Sequence, residues 1–178
     1  MMHRYPISIR IIHWLTSILL VATVSIVLIR DQMETKAVRV ELLNLHRAIG
    51  LGILLLLVIR LFFRAKHVRN LPKHGLSLLN ELAAKVAHLS IYIALIALPI
   101  LGLLQTNATG KEATFFGLFT LPKLINPNED LAESLQDYHA YAAWILIALI
   151  CLHILAALWH HFILKDNVLE SMKIKFNN

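Results

Sequence analysis

Polar and apolar positions do not alternate along this chain; they segregate into blocks. Four blocks of mostly apolar residues, about 7–29, 43–63, 83–104 and 139–162, are separated by stretches that hold most of the charge and most of the prolines. A helix needs about 20 residues to cross about 30 Å of hydrocarbon, and each block meets that length. The ten-residue alternations of a membrane barrel are missing. The pattern therefore predicts an all-α fold, a four-helix transmembrane bundle, as one membrane-embedded unit over residues 1–178.

The connections are unequal. Residues 31–42 and 64–82 read as ordinary linkers, the second marked by Pro72 and Gly75, with Ser77 placed to cap the third helix. Pro6 suits the first turn of the first helix. The stretch "NATGKEATFFGLFTLPKLINPNED" (107–130) is broken by Gly110, Gly117, Pro122 and Pro127 and cannot span. Its Phe and Leu content predicts an outer loop carrying a short interfacial helix.

Composition agrees with a membrane setting. The chain is 58% hydrophobic and 16% charged, with a mean hydropathy of +0.67, outside the range of ordinary soluble domains. Arg4 and Arg10 ahead of the first block resemble a signal-peptide start, but the block is too long for an h-region and lacks a small-x-small site. Basic residues set the orientation. The side with both termini would hold Arg4, Arg10, Arg64, Lys66, Arg69, Lys73, Lys165, Lys173 and Lys175, against Arg30, Lys36, Arg39, Lys111 and Lys123 on the other. Both termini are thus expected in the cytoplasm. The pI near 9.7 follows from this bias, and no clustered basic face suggests nucleic acid. Cys151 is the lone cysteine, so neither a disulfide framework nor a C-x-x-C-H attachment site exists.

Histidine changes the picture. There are ten, and His13, His46, His139 and His153 lie well inside apolar helices, with His88 near the start of the third. A polar group at that depth costs free energy unless partnered; one such histidine could be an interhelical hydrogen bonder, but several at matched depths are harder to dismiss. Fourteen residues separate His139 from His153, about 21 Å and close to four whole turns, so one face of the fourth helix offers imidazoles at two levels. Antiparallel threading pairs His13 with His153 near the cytoplasmic side and His46 with His139 near the outer side. Zinc prefers four ligands, and neither level has an evident Asp, Glu or Cys to complete the set. A haem iron needs two axial ligands, and bundle cores hold such groups. Two non-covalent bis-histidine haems b fit best, with electron transfer as the expected task.

Neighbouring residues bear on the same reading. Gly50 and Gly52 follow His46 by about a turn and would let a macrocycle approach the backbone, although small residues also serve helix packing. Arg47 adjoins His46, and Arg60 lies on the same face at the level of His153; each guanidinium suits a haem propionate, while Arg60 could instead snorkel to the surface. His160 shares a face with His153 and could replace it as a ligand, or meet a propionate or water; His161 is similar. His88, with Tyr92 a turn further on, could line a quinone pocket, bond to haem, or simply pack. His3, His67 and His74 read as loop or terminal residues, and Trp14, Trp144 and Trp159 as interfacial aromatics.

The segments "IHWL" (12–15), "LHRAIGLGILLLLVIRLFFR" (45–64), "HLSIYIALIALPILG" (88–102), "YHAYAAW" (138–144) and "LHILAALWHHFILKDNVL" (152–169) resemble the bacterial cytochrome b561 family. These are small four-helix dihaem proteins of the inner membrane, related to the cytochrome b subunits of nickel-iron hydrogenases. The resemblance puts the family's axial ligands on His13, His46, His139 and His153. It implies electron exchange with the ubiquinone pool, from a periplasmic-side donor such as superoxide or a redox partner protein. An anionic donor would need a local basic pocket from Arg47, Lys111 or Lys123, because the outer loops are acidic. Two other readings stand beside it: the membrane subunit of a multi-subunit dehydrogenase, and a haem-free transporter of metal ions or protons using the four histidines as a relay. A transporter would more often break its helices near the midplane, for which Pro99 and Gly102 are the available residues.

Overall fold

The computed structural model describes residues 4–72, 75 and 77–174; His3, Lys73, His74 and Lys175, named above, lie outside them. Four helices cross the thickness of a bilayer by length and composition: α1 (Ile7–Gln32), α2 (Lys36–Lys66), α3 (Leu78–Ala108) and α4 (Glu129–Trp159). At most 22% of the apolar window of any of them is buried inside the chain. The remaining surface, with Ile18, Val21, Phe62, Ile93 and Trp144 exposed, is suited to hydrocarbon and not to water.

The helices extend beyond their apolar blocks. α2 begins at Lys36 and not near 43, α3 at Leu78 and not near 83, and α4 at Glu129 and not near 139. Hydropathy marks where lipid ends; the helix ends where its first amide groups find a cap. Ser77 accepts from the Asn80 amide at 3.4 Å, and Asn128 accepts from the Leu131 amide at 2.9 Å, followed by Glu129 and Asp130 at the positive end of the α4 dipole. Pro6 is the cap residue of α1. α3 continues through Pro99 without a break.

The connection between α3 and α4 contains a hairpin, β1 (Thr114–Phe115) and β2 (Phe119–Thr120), where an interfacial helix was expected. Phe116 and Gly117 take φ of 48° and 71°, and the Leu118 amide closes the turn on the Phe115 carbonyl at 2.9 Å. Two consecutive left-handed residues match a tight hairpin turn and terminate any helix. Asn107 Oδ1 accepts the Leu124 amide at 2.9 Å, and β1 rests on α2.

α1 packs along α2, α3 along α4, and α2 against α3 joins the pairs. Ile49, Ile53 and Leu57 on one face of α2 meet Leu95 and Leu146 in the central core. At the opposite end from the hairpin, the segment around the start of α1 meets residues 171–173. The Tyr5 amide donates to Ser171 O at 3.1 Å, Arg10 Nη1 to Lys173 O at 2.7 Å, and Trp14 Nε1 to Met172 O at 3.0 Å.

Candidate functional site

Two histidine pairs lie across the bundle at two levels. At the hairpin end His46 of α2 faces His139 of α4, ring centres 6.1 Å apart and planes at 68°. At the terminal end His13 of α1 faces His153 of α4, at 6.3 Å and 75°. In both cases the two helices involved scarcely approach each other along their backbones, so the rings meet where the main chains are held apart.

These separations test whether a haem iron fits. An imidazole nitrogen stands about 2 Å from a coordinated metal of this kind, and its ring centre about 1 Å beyond. Two rings on opposite sides of one iron therefore have centres about 6 Å apart, as both pairs do. The two levels each offer a facing pair of imidazoles, with no His, Cys, Asp or Glu group of three among the described residues that could hold a metal ion. That matches a bis-axial iron and not tetrahedral zinc.

Surrounding residues orient the rings. His46 Nδ1 donates to the Thr23 carbonyl at 3.1 Å and lies 3.1 Å from Thr23 Oγ1. With Nδ1 holding the proton, Nε2 is left as the ligand atom, the arrangement that fixes tautomer and orientation at metal sites. His139 lies against Gly102 of α3, where an added Cβ would stand 3.5 Å from its Cε1. Gly50 and Gly52 have open space where a side chain would project. His88 donates Nδ1 to Ala84 O at 2.6 Å, and its ring lies 5.3 Å from that of His153, edge to face. A third imidazole thus borders the terminal-end pair.

The cations differ in their surroundings. Arg47 Nη1 donates to Asn44 Oδ1 at 3.3 Å. Arg60 does not snorkel away from the bundle; its guanidinium lies over the Tyr92 ring, 5.8 Å from the centre. At the end of α4 the helix widens into a π turn, His160–Leu164, closed by Lys165 in the left-handed region. This brings Asp166 back onto His160, with Nδ1 to Oδ2 at 2.5 Å, while Asp166 Oδ1 accepts the Val168 amide at 3.0 Å. His160 is thereby directed to a carboxylate. His161 packs on Phe162, and His67 bonds back to Phe63 O, away from the pairs. Sequence reasoning left Thr23 and Asp166 without a role and considered Gly102 only as a possible helix break. Asp166, within the "HHFILKDN" motif, and Gly102, at the end of "HLSIYIALIALPILG", carried a visible signal, and Thr23 none.

A family model for prokaryotic cytochrome b561 matches residues 4–174. The chain belongs to that family. It is 33% identical over 166 residues to a probable superoxide oxidase, CybB, of Yersinia pestis, covering 92% of each chain. It is 35% identical over 129 residues to cytochrome b561 homolog 2 of Escherichia coli K12, covering 72% of this chain and 69% of the relative. Membership in the prokaryotic cytochrome b561 family implies haem b, which supplies a reversible one-electron iron couple when bound. The chain is thus a multi-pass bacterial membrane cytochrome of electron transport.

Proposed function

We propose that this chain holds two haems b, one between His46 and His139 and one between His13 and His153, and carries electrons from a donor on the hairpin side to ubiquinone. The observation that carries this is the pair of imidazole separations, 6.1 and 6.3 Å, at two depths. The basic bias of the terminal end supports an orientation with both termini in the cytoplasm and the hairpin in the periplasm. Arg60 supplies positive charge for a propionate beside the terminal-end level, and Gly50 leaves room at the α2 backbone.

Superoxide is the donor that this reading favours, supported by the name of the Yersinia pestis relative. Lys123 is paired with Glu112 at 3.4 Å, whereas Arg47 bonds a neutral amide oxygen and keeps its charge next to His46. Arg47, with Lys111, which joins no ion pair among the described residues, is therefore suited to drawing an anion toward that pair. At the terminal end, the His160–Asp166 contact forms a unit able to hold or release a proton, as quinone reduction requires: two superoxide anions, one quinone and two protons give two dioxygen molecules and one quinol.

The test uses purified protein and its absorption spectrum. Superoxide should reduce the haems, and added ubiquinone should reoxidise them. A protein that superoxide leaves oxidised, but that dithionite reduces and quinone reoxidises, would remove the donor and leave the cytochrome reading standing. A protein without a Soret band would remove both.

A further inference from the structure

Polar side chains inside this bundle mostly have partners. Thr16 and Thr106 return their hydroxyls to carbonyls one turn back, and His46 and His88 donate to carbonyls. Tyr92 of α3 does not follow. Its hydroxyl is buried and has no hydrogen-bond partner among the described residues. Arg10, Asn107 and His139 also have one such atom each; Arg10 and Asn107 bond through another atom of the same group, and His139 faces His46. The phenol oxygen is the only polar atom Tyr92 has. Its ring packs on the core of Ile53, Leu57 and Leu95, where phenylalanine would fill the space without burying an unpartnered hydroxyl.

Arg60 shares this place, its guanidinium over the same ring. Among the described residues no carboxylate is within ion-pair distance of it; the ion pairs of the chain involve other cations. A guanidinium inside a membrane bundle calls for an anion, and its planar fork suits a carboxylate. A turn before Tyr92, His88 lies against His153. An unpaired cation and an unused hydroxyl donor thus lie next to one histidine pair.

We propose that Tyr92 and Arg60 form a carboxylate clamp for a propionate of the haem held by His13 and His153, Tyr92 giving a hydrogen bond and Arg60 the charge. The clamp rests on the haem reading above. By compensating the negative charge of the carboxylate, it favours the ferrous state, so its loss lowers the midpoint potential of that haem.

Potentiometric titration of the holoprotein, with haem content from the pyridine haemochrome, tests this. Tyr92→Phe removes one oxygen atom and keeps the ring. It should retain both haems and shift one component about tenfold toward the oxidised form, which is about 59 mV for a one-electron couple. Arg60→Gln should shift the same component in the same direction, and that component should be the one His153→Ala removes. Because a lost cation acts through space on any nearby iron, Tyr92→Phe carries the decision. No shift in Tyr92→Phe, or a shift in the component lost with His139→Ala, overturns the clamp. If Tyr92→Phe loses haem, apoprotein is loaded with haem b or with its propionate dimethyl ester. About tenfold weaker uptake of the ester by the wild type at the His13–His153 component supports the clamp, and equal uptake overturns it. Failure of the haem reading looks different: the wild type would carry no haem.

Discussion

His139 and His153 share one helix face yet meet different partners, His46 and His13, and this separates the effects of their replacement. His153→Ala should remove the same redox component as His13→Ala, and His139→Ala the same as His46→Ala, with the other component surviving in potentiometric titration. Loss of one component by both His13→Ala and His139→Ala would break the pairing. Gly102 gives a steric version of the same test. An added Cβ would stand 3.5 Å from the His139 ring, an ordinary contact, so Gly102→Ala should retain both components, while Gly102→Leu should push the ring aside and copy His139→Ala. The pairing of the four histidines was legible because depth along a helix is arithmetic, 1.5 Å per residue. What lies beside them was not. Thr23 reaches His46 from another helix and Gly102 reaches His139 from another, and neither contact follows from spacing within one segment.

At the scale of elements, the four spans could be read from hydropathy, whereas the starts of α3 and α4 were set by single polar residues outside the apolar runs, Ser77 and Asn128. Asn128 shows the difference: it starts α4 ten residues before the apolar block through one bond to Leu131. Asn128→Ala should cost about 1 kcal/mol of stability, seen as a lower thermal unfolding midpoint with the haem spectrum unchanged at room temperature. The α3–α4 connection was misread because Phe and Leu content speaks for contact with an interface and not for a backbone conformation. The φ signs of Phe116 and Gly117 decided that conformation. Replacing Gly117 with valine should therefore disturb the hairpin, since a β-branched residue is strained at φ of 71°. Faster proteolysis within 110–125 than in the wild type would register this, and unchanged cleavage would show that the turn tolerates the strain.

For the molecule as a whole, the proposed reading of two levels of paired imidazole predicts two haems per chain, both extractable by acid acetone. A pyridine haemochrome ratio of one would reduce the site to a single level. Cysteine labelling on intact cells and on inverted vesicles should place residue 69 and both termini inside and residue 118 outside; the reverse pattern would exchange the donor and quinone ends.

The fastening of Ser171, Met172 and Lys173 to Tyr5, Trp14 and Arg10 has a consequence in time. Tyr5, Arg10 and Trp14 are translated before the first span is complete and Ser171, Met172 and Lys173 only after the fourth, so the fastening cannot form until all four spans have been made. Through the whole of membrane insertion, the end of the bundle with His13 and His153 is unlatched, and the ribosome itself keeps it so. A chain stopped after Val168 would retain all four spans and every paired histidine but would remain permanently in that earlier condition, and it should release haem from the His13–His153 level faster than a chain that carries Ser171, Met172 and Lys173.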